Sequence, residues 1–378
     1  MLLILMLFAG IIAYVLQNLI FHLVYQKGFG ARIKFHTNYV DYEEEGYLTE
    51  VIENRKWFPL PVLHVSFRTK TGLEFENTEN MVVSDTTVRR EVFSLLWNQR
   101  VTRKLNFRGS VRGHYFIQSA EINVYNLLMT KDYYIELPQN TDLYVYPKQV
   151  NTEKLNLLIS SVYGTIQTRQ RYQEDMLSFA GIREYRAGDE MKRINWKASA
   201  KGEDLLVNLY DSMASLKCCI ILDVSDKGIW KELELAEEGI SLTSSLAGRI
   251  LKQGGDVAVY SNAAMASDTF RNQVQIPMGK DAYKLHSINE SLAEVDVNRE
   301  AVELTELIEQ LNVNEQANCY VLISKNESQG YGTKILEKLR GEKIAGNVLH
   351  IVLKKCSITG AEYEPVQEAG VEKLLWEV

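Results

Sequence analysis

The chain opens with an uninterrupted apolar segment, and this segment is the clearest pattern in the sequence. Residues 1–24 contain no Asp, Glu, Lys or Arg, and their only strongly polar positions are Gln17, Asn18 and His22. As a helix, these residues would extend about 36 Å, which is enough to cross a hydrocarbon core about 30 Å thick. The pattern therefore predicts a transmembrane anchor over residues 1–26.

A cleaved signal peptide is the alternative interpretation of this segment. Such a peptide carries a basic residue ahead of its apolar run and small residues at its cleavage site, and this sequence has neither. Three basic residues, Lys27, Arg32 and Lys34, follow the segment at once. Because basic residues collect on the cytoplasmic side of a membrane span, the sequence predicts a single-pass cell-membrane protein with a cytoplasmic soluble part.

Alternation of apolar and polar residues predicts an all-β domain over residues 30–150. The alternation is clear at 63–67 and 101–107, and it continues at 115–117 and 122–124. Turn residues separate these short segments. Several short strands of this kind favour a β-sandwich-like domain.

From residue 215 to residue 378 the pattern changes to short apolar strands that alternate with amphipathic helices. The predicted strands lie near residues 217–224, 256–260, 319–324 and 347–353. This alternation predicts a doubly wound, mostly parallel sheet of the Rossmann-like type, so the fold class is α/β plus β. Strands buried on both faces of a parallel sheet read as continuous apolar runs, as these do.

Polar residues follow three of the predicted parallel strands, where the working crevice of such a sheet lies. They are Asp223, Ser225 and Asp226 after the first strand, Ser261 and Asn262 after the second, and Ser324 and Lys325 after the third. No GxGxxG follows the first strand, and no GxxxxGK[ST] occurs. The sequence therefore argues against a dinucleotide site and against a P-loop ATPase, and it predicts no cofactor.

Bulk composition narrows the function classes further. A chain of 378 residues is expected to form two or three domains. Its net charge of −7 and isoelectric point of about 5.6 argue against nucleic acid as a partner. The four cysteines lack metal-ligand spacing, which favours small buried residues in a reducing compartment.

The segment 181–199 is the densest group of charges in the chain. It reads GIREYRAGDEMKRINWKAS and combines eight charged side chains with a Tyr and a Trp. It lies ahead of the predicted α/β domain. We treat the whole region 151–214, which contains residues 181–199, as a separate signature segment. This composition is unusual for a core element or for an ordinary surface helix.

The segment resembles the signature of the bacterial domain-of-unknown-function family 58. The resemblance rests on REYRAGDE at 183–190 and RINWKASA at 193–200, and it extends to the NRKWFPLPV run at 54–62 and to 112–115. Asn195 stands where this family often has Asp. The signature positions predicted to act in interaction or structure are Arg183, Glu184, Tyr185, Gly188, Asp189, Arg193, Asn195, Trp196, Lys197 and Ser199.

The resemblance implies a membrane-anchored protein whose residues 215–378 form a von Willebrand factor A-like domain. Domains of that type commonly hold a divalent cation on an Asp-x-Ser-x-Ser run, and Asp223 and Ser225 match its first two positions. Lys227 occupies the third, and Lys325 stands where a later Asp is expected. We therefore predict a degenerate site without metal, in which Asp223 caps the following helix or pairs with one of these lysines.

Three interpretations of the charged segment remain open. It could be a brace, in which Arg183, Glu184, Asp189 and Arg193 form an ion network beside Trp196 as an apolar plug. It could be a docking face for a protein, because Arg, Tyr and Trp dominate binding hot spots. It could also be an acid/base pair made by Glu184 with Asp189 or with Glu190, although no His or Cys nucleophile lies nearby.

Family resemblance implies a MoxR-type AAA+ ATPase as partner, and a transglutaminase-like membrane protein as a further neighbour. The resulting prediction is a non-enzymatic, membrane-anchored adaptor or scaffold. One alternative is a divalent-cation-dependent domain for ligand binding or adhesion. The other is a hydrolase that uses Glu184 and Asp189.

Overall fold

A computed structural model describes residues 2–170, 179–186, 189–202, 204–210, 216–226, 231–266, 273–310, 317–328, 330–341, 347–355, 367–368 and 371–378. The chain forms two compact units, Met1–Lys148 and Gln149–Val378. The predicted signature segment lies in the second unit, together with the α/β sheet.

The first unit contains one long helix and ten strands among its described residues. They are α1 (Leu2–Val24), β1 (Phe29–Phe35), β2 (Tyr39–Val40), β3 (Glu45–Asn54), β4 (Leu60–Lys70), β5 (Leu73–Phe75), β6 (Met81–Val83), β7 (Thr86–Leu95), β8 (Gln99–Gly109), β9 (Gly113–Tyr125) and β10 (Asp132–Val145).

The second unit alternates helices and strands. Its elements are α2 (Glu153–Gln170), β11 (Phe179–Glu184), a 3-10 helix (Met191–Arg193), α3 (Trp196–Ser199), β12 (Leu206–Tyr210), β13 (Lys217–Leu222), α4 (Leu233–Lys252), β14 (Asp256–Ser261), β15 (Val274–Gly279), α5 (Lys284–Ala293), α6 (Leu304–Gln310), β16 (Cys319–Ser324), α7 (Tyr331–Gly341), β17 (Asn347–Lys354), β18 (Gln367–Glu368) and β19 (Val371–Glu377).

The β-strands of the first unit form two sheets around one apolar core. One sheet has the order β1-β3-β8-β5, and the other has the order β2-β10-β9-β4-β7-β6. All pairs are antiparallel except β2 with β10. The predicted alternation is present, since Leu63, Val65 and Phe67 all point into the core. The segments at 115–117 and 122–124, predicted as separate, belong to the single strand β9.

Helix α1 is long and apolar enough to cross a membrane. The window Ile4–Val24 has a mean hydropathy of 2.2, and only 6% of it is buried within the structure. Its last turn differs from the rest, because Phe21 is buried in the core of the sandwich. The Phe21 ring lies 5.8 Å from the Phe58 ring and 5.2 Å from the Tyr133 ring, measured between centroids.

The second unit is built on a mainly parallel sheet with the order β15-β14-β13-β16-β17-β19-β18. Strands β14, β13, β16, β17 and β19 run parallel to one another. The edge strands β15 and β18 are antiparallel to their neighbours. The predicted alternation of strands and helices is therefore present in this unit.

Helices cover both faces of this sheet, and strand β13 shows why its sequence is continuously apolar. Cys218, Ile220 and Leu222 enter a core that also contains residues of α2, α4 and α5. Cys219 and Ile221 enter the opposite core, which contains residues of α6 and α7. Cys218, Cys219 and Cys319 are free and buried, and Cys356 lies outside the described residues.

Candidate functional site

The charged signature segment folds around the two-stranded antiparallel sheet β11–β12. Arg183 pairs with Val207 in this sheet, and Ile194 forms an isolated bridge to the same Val207. The 3-10 helix and α3 lie between the two strands in the chain. Gly188 lies outside the described residues.

Arg183 and Asp189 form the central ion pair of this segment. Nη1 of Arg183 donates to Oδ2 of Asp189 and Nη2 donates to Oδ1, both at 2.7 Å. The backbone N–H of Arg186 donates to the same Oδ2 at 2.8 Å. The Arg183 side chain and the Arg186 N–H together lower the pKa of Asp189 to about 2. This two-bond geometry fixes the orientation of both side chains.

Two further signature residues join α3 to β12. The side chain of Asn195 accepts a hydrogen bond from Ala198 N at 2.9 Å and so caps α3, and it donates to Oδ1 of Asn208 at 2.7 Å. The hydroxyl of Ser199 donates to Asn195 O at 2.9 Å and accepts from Leu206 N at 2.8 Å. We call Arg183, Asp189, Asn195 and Ser199 the frame; they form two separate hydrogen-bonded pairs, Arg183 with Asp189 and Asn195 with Ser199.

The interpretation of Trp196 as a buried plug is wrong. Its relative exposure is 61%. Trp196 is the first residue of the four-residue helix α3, and the side-chain hydrogen bonds that hold this helix come from Asn195 and Ser199. Other large apolar side chains of this segment are exposed as well. We use the name signature face for the exposed apolar residues of this segment, on whichever side of the β11–β12 sheet they lie: Ile182 (44%), Tyr185 (36%), Met191 (69%), Trp196 (61%) and Leu205 (44%).

The signature face also carries exposed charge. Glu184, Arg186, Lys192 and Lys197 are all exposed, and Nζ of Lys192 lies 2.8 Å from a carboxylate oxygen of Glu190. Arg193 is half-buried, and its backbone N–H donates to Glu190 O at 2.9 Å.

This geometry bears on the acid/base interpretation. Asp189 is engaged through both carboxylate oxygens, and its lowered pKa keeps it deprotonated at neutral pH. A general acid or base needs a pKa near the working pH and a free lone pair or proton. The arrangement therefore favours a structural role for Asp189 over a role in proton transfer.

The second predicted site lies at the carboxyl ends of the parallel strands, and Asp223 is its centre. This residue is only 2% exposed. Its Oδ1 accepts from Ser225 N at 3.0 Å, from Ser225 Oγ at 2.5 Å and from Nδ2 of Asn262 at 2.7 Å. Its Oδ2 accepts from the hydroxyl of Tyr331 at 2.5 Å. Both carboxylate oxygens of Asp223 therefore accept hydrogen bonds from other groups of the protein.

The expectation that Asp223 caps a helix or pairs with a lysine is wrong for the described residues. Asp226 pairs with the lysine instead, because its Oδ2 accepts from Nζ of Lys325 at 2.8 Å, and it also accepts the N–H of Glu232, the residue before α4, at 2.8 Å. The Lys325 side chain is 8% exposed, so its ammonium is held inside this crevice. Lys227, the other lysine of the prediction, lies outside the described residues.

Sequence reasoning missed two residues of this crevice, Tyr331 and His350. Burial raises the pKa of the Tyr331 hydroxyl, and the nearby carboxylate of Asp223 raises it further. Burial, with a smaller effect of Lys373, lowers the pKa of His350 to about 4. Nε2 of His350 lies 2.8 Å from Oγ of Ser324, but both residues are closed to solvent. Tyr331 is the first residue of the helix after β16, and that position was its one sequence signal.

A match to a protein-family model agrees with the resemblance seen in residues 181–199. Residues 181–352 match the family described as "Protein of unknown function DUF58", which supports the family predicted from the sequence. The match begins in β11 and ends in β17, so it covers the signature face and the strand-end crevice. No curated protein matched this chain.

Three of the solved structures that resemble this chain each cover about a third of it. A CARDB domain from Pyrococcus furiosus is 14% identical, with a TM-score of 0.20 and coverage of 31% of this chain and 93% of that one. A non-cellulosomal cohesin from Archaeoglobus fulgidus is 12% identical, with a TM-score of 0.22 and coverage of 34% and 96%. The C-terminal domain of wzt is 13% identical, with a TM-score of 0.24 and coverage of 34% and 78%.

Proposed function

We propose that this chain is a membrane-anchored, non-enzymatic adaptor that works with a MoxR-type AAA+ ATPase and docks through the signature face. Helix α1 supplies the anchor, and the basic residues that follow it favour a cytoplasmic soluble part. A transglutaminase-like membrane protein is the further partner that the family resemblance suggests.

The observation that carries the proposal is an exposed Trp196 in a segment held by the hydrogen bonds of the frame. Trp196 is 61% exposed, and exposed tryptophan is among the residue types most enriched in binding hot spots. The frame residues restrict the motion of this segment before binding, which lowers the entropy cost of association. Exposed Arg186, Lys192 and Lys197 in the same segment suit a partner surface with acidic groups.

We also propose that the second unit is a von Willebrand factor A-like domain that works without a metal ion. The strand order and the Asp223–Ser225 pair after β13 support this assignment. The engaged carboxylate of Asp223, together with the ammonium of Lys325 on Asp226, supports a site that has exchanged metal ligation for internal hydrogen bonds. The proposal therefore favours a protein-binding domain over a cation-dependent adhesion domain.

Co-purification from membranes tests the adaptor function. The full chain would carry an affinity tag, and the captured AAA+ ATPases would be counted by mass spectrometry. The variant Arg193→Ala/Trp196→Ala removes a charge and the aromatic anchor of the segment. Tyr283→Ala is the matched control. Tyr283 is 81% exposed, but it lies just before α5 and is not part of the signature face.

We expect a MoxR-type ATPase to be enriched with the wild type and with Tyr283→Ala, and to be lost with the double variant. Equal recovery of the ATPase with all three chains would contradict docking through this face. Absence of any AAA+ ATPase in the wild-type sample would contradict the proposed partner.

A further inference from the structure

One end of the β-sandwich combines the end of α1 with a group of exposed apolar side chains. Three loops lie at this end: they join β3 to β4, β7 to β8, and β9 to β10. Strand pairing places them together, since Asn54 pairs with Gln99, Leu60 with Leu95, and Leu63 with Val124. We define the apolar rim as Trp57 (75% exposed), Leu96 (57%), Trp97 (62%), Leu127 (38%), Leu128 (57%) and Met129 (58%).

Hydrogen bonds connect the first two loops of the rim to each other and to α1. Asn98 N donates to Lys56 O at 2.9 Å, and the side chain of Asn54 donates to Leu96 O at 2.9 Å. Nζ of Lys56 donates to Val24 O at 3.1 Å and to Tyr25 O at 2.5 Å. A lysine that satisfies the last carbonyls of a helix fixes where that helix leaves the domain. The loops of Trp57 and Trp97 are therefore held at the end of the apolar span.

The third loop reaches α1 earlier along the helix. Nδ2 of Asn126, whose side chain is fully buried, donates to Oδ1 of Asn18 at 2.7 Å and to Oγ1 of Thr130 at 2.8 Å. Asn18 lies six residues before Val24, which is about 9 Å along the helix axis. It therefore lies inside the apolar window Ile4–Val24. A loop that contacts this level of a membrane span lies at the depth of the membrane interface.

We propose that the apolar rim inserts into the lipid interface beside α1, so that the sandwich rests on the bilayer rather than standing away from it. The lipid surface is the occupant that the contacts favour, because the rim is continuous with the helix that would cross the membrane. Tryptophan is enriched at this interface, where its apolar ring and polar N–H are both satisfied. This inference rests on the proposed membrane anchoring by α1.

Quenching of tryptophan fluorescence by brominated lipid tests the insertion. The full chain would be reconstituted into phosphatidylcholine vesicles, with or without phosphatidylcholine brominated near the glycerol end of its acyl chains. The test variant is Trp57→Phe/Trp97→Phe, which keeps two apolar rings in the rim. The control is Trp196→Phe, which removes an exposed tryptophan that lies on the signature face.

We expect brominated lipid to quench the wild type and Trp196→Phe, and most of this quenching to disappear in Trp57→Phe/Trp97→Phe. Equal quenching in all three chains, or none in the wild type, would overturn the insertion. A protein partner as the occupant of the rim would give the second of these results.

Carbonate extraction of the same vesicles separates this inference from the anchoring on which it rests. A chain that stays in the pellet without rim quenching is anchored but does not insert its rim. A chain that is released into the supernatant contradicts the anchor itself, and the insertion is then contradicted with it.

Discussion

Arg183 and Asp189 are joined by two parallel hydrogen bonds of 2.7 Å, and Asp189 also accepts the backbone N–H of Arg186. One carboxylate therefore holds both the strand β11 and the turn that follows it. Because the Arg183 and Asp189 side chains are only 32% and 14% exposed, we assign this ion pair a supporting role in the segment.

The first prediction concerns this support. Asp189→Asn removes the charge and one of the two bonds to Arg183, so we expect the amide of Arg186 to exchange its hydrogen faster. Hydrogen exchange of the full chain, followed residue by residue, measures this change. Glu190→Gln is the control, because the Glu190 side chain is 61% exposed and contacts Lys192 on the surface. Equal protection of Arg186 in both variants would contradict the supporting role.

The same ion pair predicts a pH dependence. The folded pKa of Asp189 is about 2, below its ordinary value of 3.8, so the folded chain binds this proton more weakly than the unfolded chain. The protection that Asp189 gives to the Arg186 amide is therefore fully present above about pH 4 and is lost as the pH falls towards 2. Protection that is unchanged at pH 2 would show that the carboxylate is not its source.

The second prediction concerns the hydroxyl of Tyr331 on the buried carboxylate of Asp223. Tyr331→Phe leaves Oδ2 without this donor, and an unsatisfied buried acceptor costs about 1–3 kcal/mol. We expect the free energy of unfolding of the second unit to fall by that amount, measured from native-state hydrogen exchange in β13. Tyr283→Phe, at a site 81% exposed, serves as the control and should change it by less than about 0.5 kcal/mol. Equal stability of the two variants would contradict the hydrogen bond.

The third prediction concerns divalent cations. Because Asp223 is engaged on both oxygens and Lys325 lies on Asp226, we expect no saturable heat when Mg²⁺ or Mn²⁺ is added to the full chain in a calorimeter. Heat at one ion per chain that disappears in Asp223→Ala would contradict the metal-free proposal and favour the adhesion alternative.

The fourth prediction concerns Glu50, a carboxyl group enclosed in the sandwich. Glu50 is fully buried, and neither of its carboxylate oxygens has a hydrogen-bond partner among the described residues. Burial is the main cause that raises its pKa to about 7, and the neighbouring Glu91 adds to it, while Arg103 and Arg89 oppose it. The folded unit therefore holds this proton more tightly than the unfolded chain.

Glu50 should consequently destabilise the first unit as the pH rises. Its penalty is absent below about pH 4.5, grows to about 3 kcal/mol near pH 7 and is constant above that pH. We expect Glu50→Gln to abolish this loss of stability, measured by native-state hydrogen exchange in β3 and β8 across the pH range. Glu45→Gln, on an exposed position of the same strand, is the control. An identical pH profile for wild type and Glu50→Gln would contradict the prediction.

Glu50 also shows which structural features a local sequence pattern can predict and which it cannot. The period-two pattern along β3 fits the inward position of Leu48, Glu50 and Ile52, although Glu50 was not among the residues predicted to be buried. The pattern does not predict the charges that surround Glu50, because Arg89 and Glu91 come from another strand. Local periodicity determines which face a residue occupies, whereas long-range pairing determines what it meets there.

The site around Asp223, at the carboxyl ends of the parallel strands, shows the same difference between what local periodicity predicts and what long-range pairing decides. Parallel strands bring Asp223 and Asn262 to one edge, as expected from their positions after β13 and β14. The partner of Lys325 was predicted wrongly, because Asp223 and Asp226 are three residues apart and periodicity cannot distinguish them. Tyr331 was missed because its hydroxyl reaches Asp223 from a helix more than a hundred residues later.

Trp196 as an apolar plug, one of the interpretations left open by the sequence, fails for a different reason. An aromatic residue among charges is read as buried on average, but its helix is only four residues long and too short to provide an apolar face. Its exposure is therefore the feature that structure adds to the sequence.

The dissociation constant between the purified full chain and a MoxR-type AAA+ ATPase tests the central claim most directly. We predict that Trp196→Ala raises this constant at least about tenfold, as expected for a hot-spot residue, while Tyr283→Ala leaves it within about twofold of the wild type. Equal dissociation constants for the wild type and Trp196→Ala would contradict docking through the signature face.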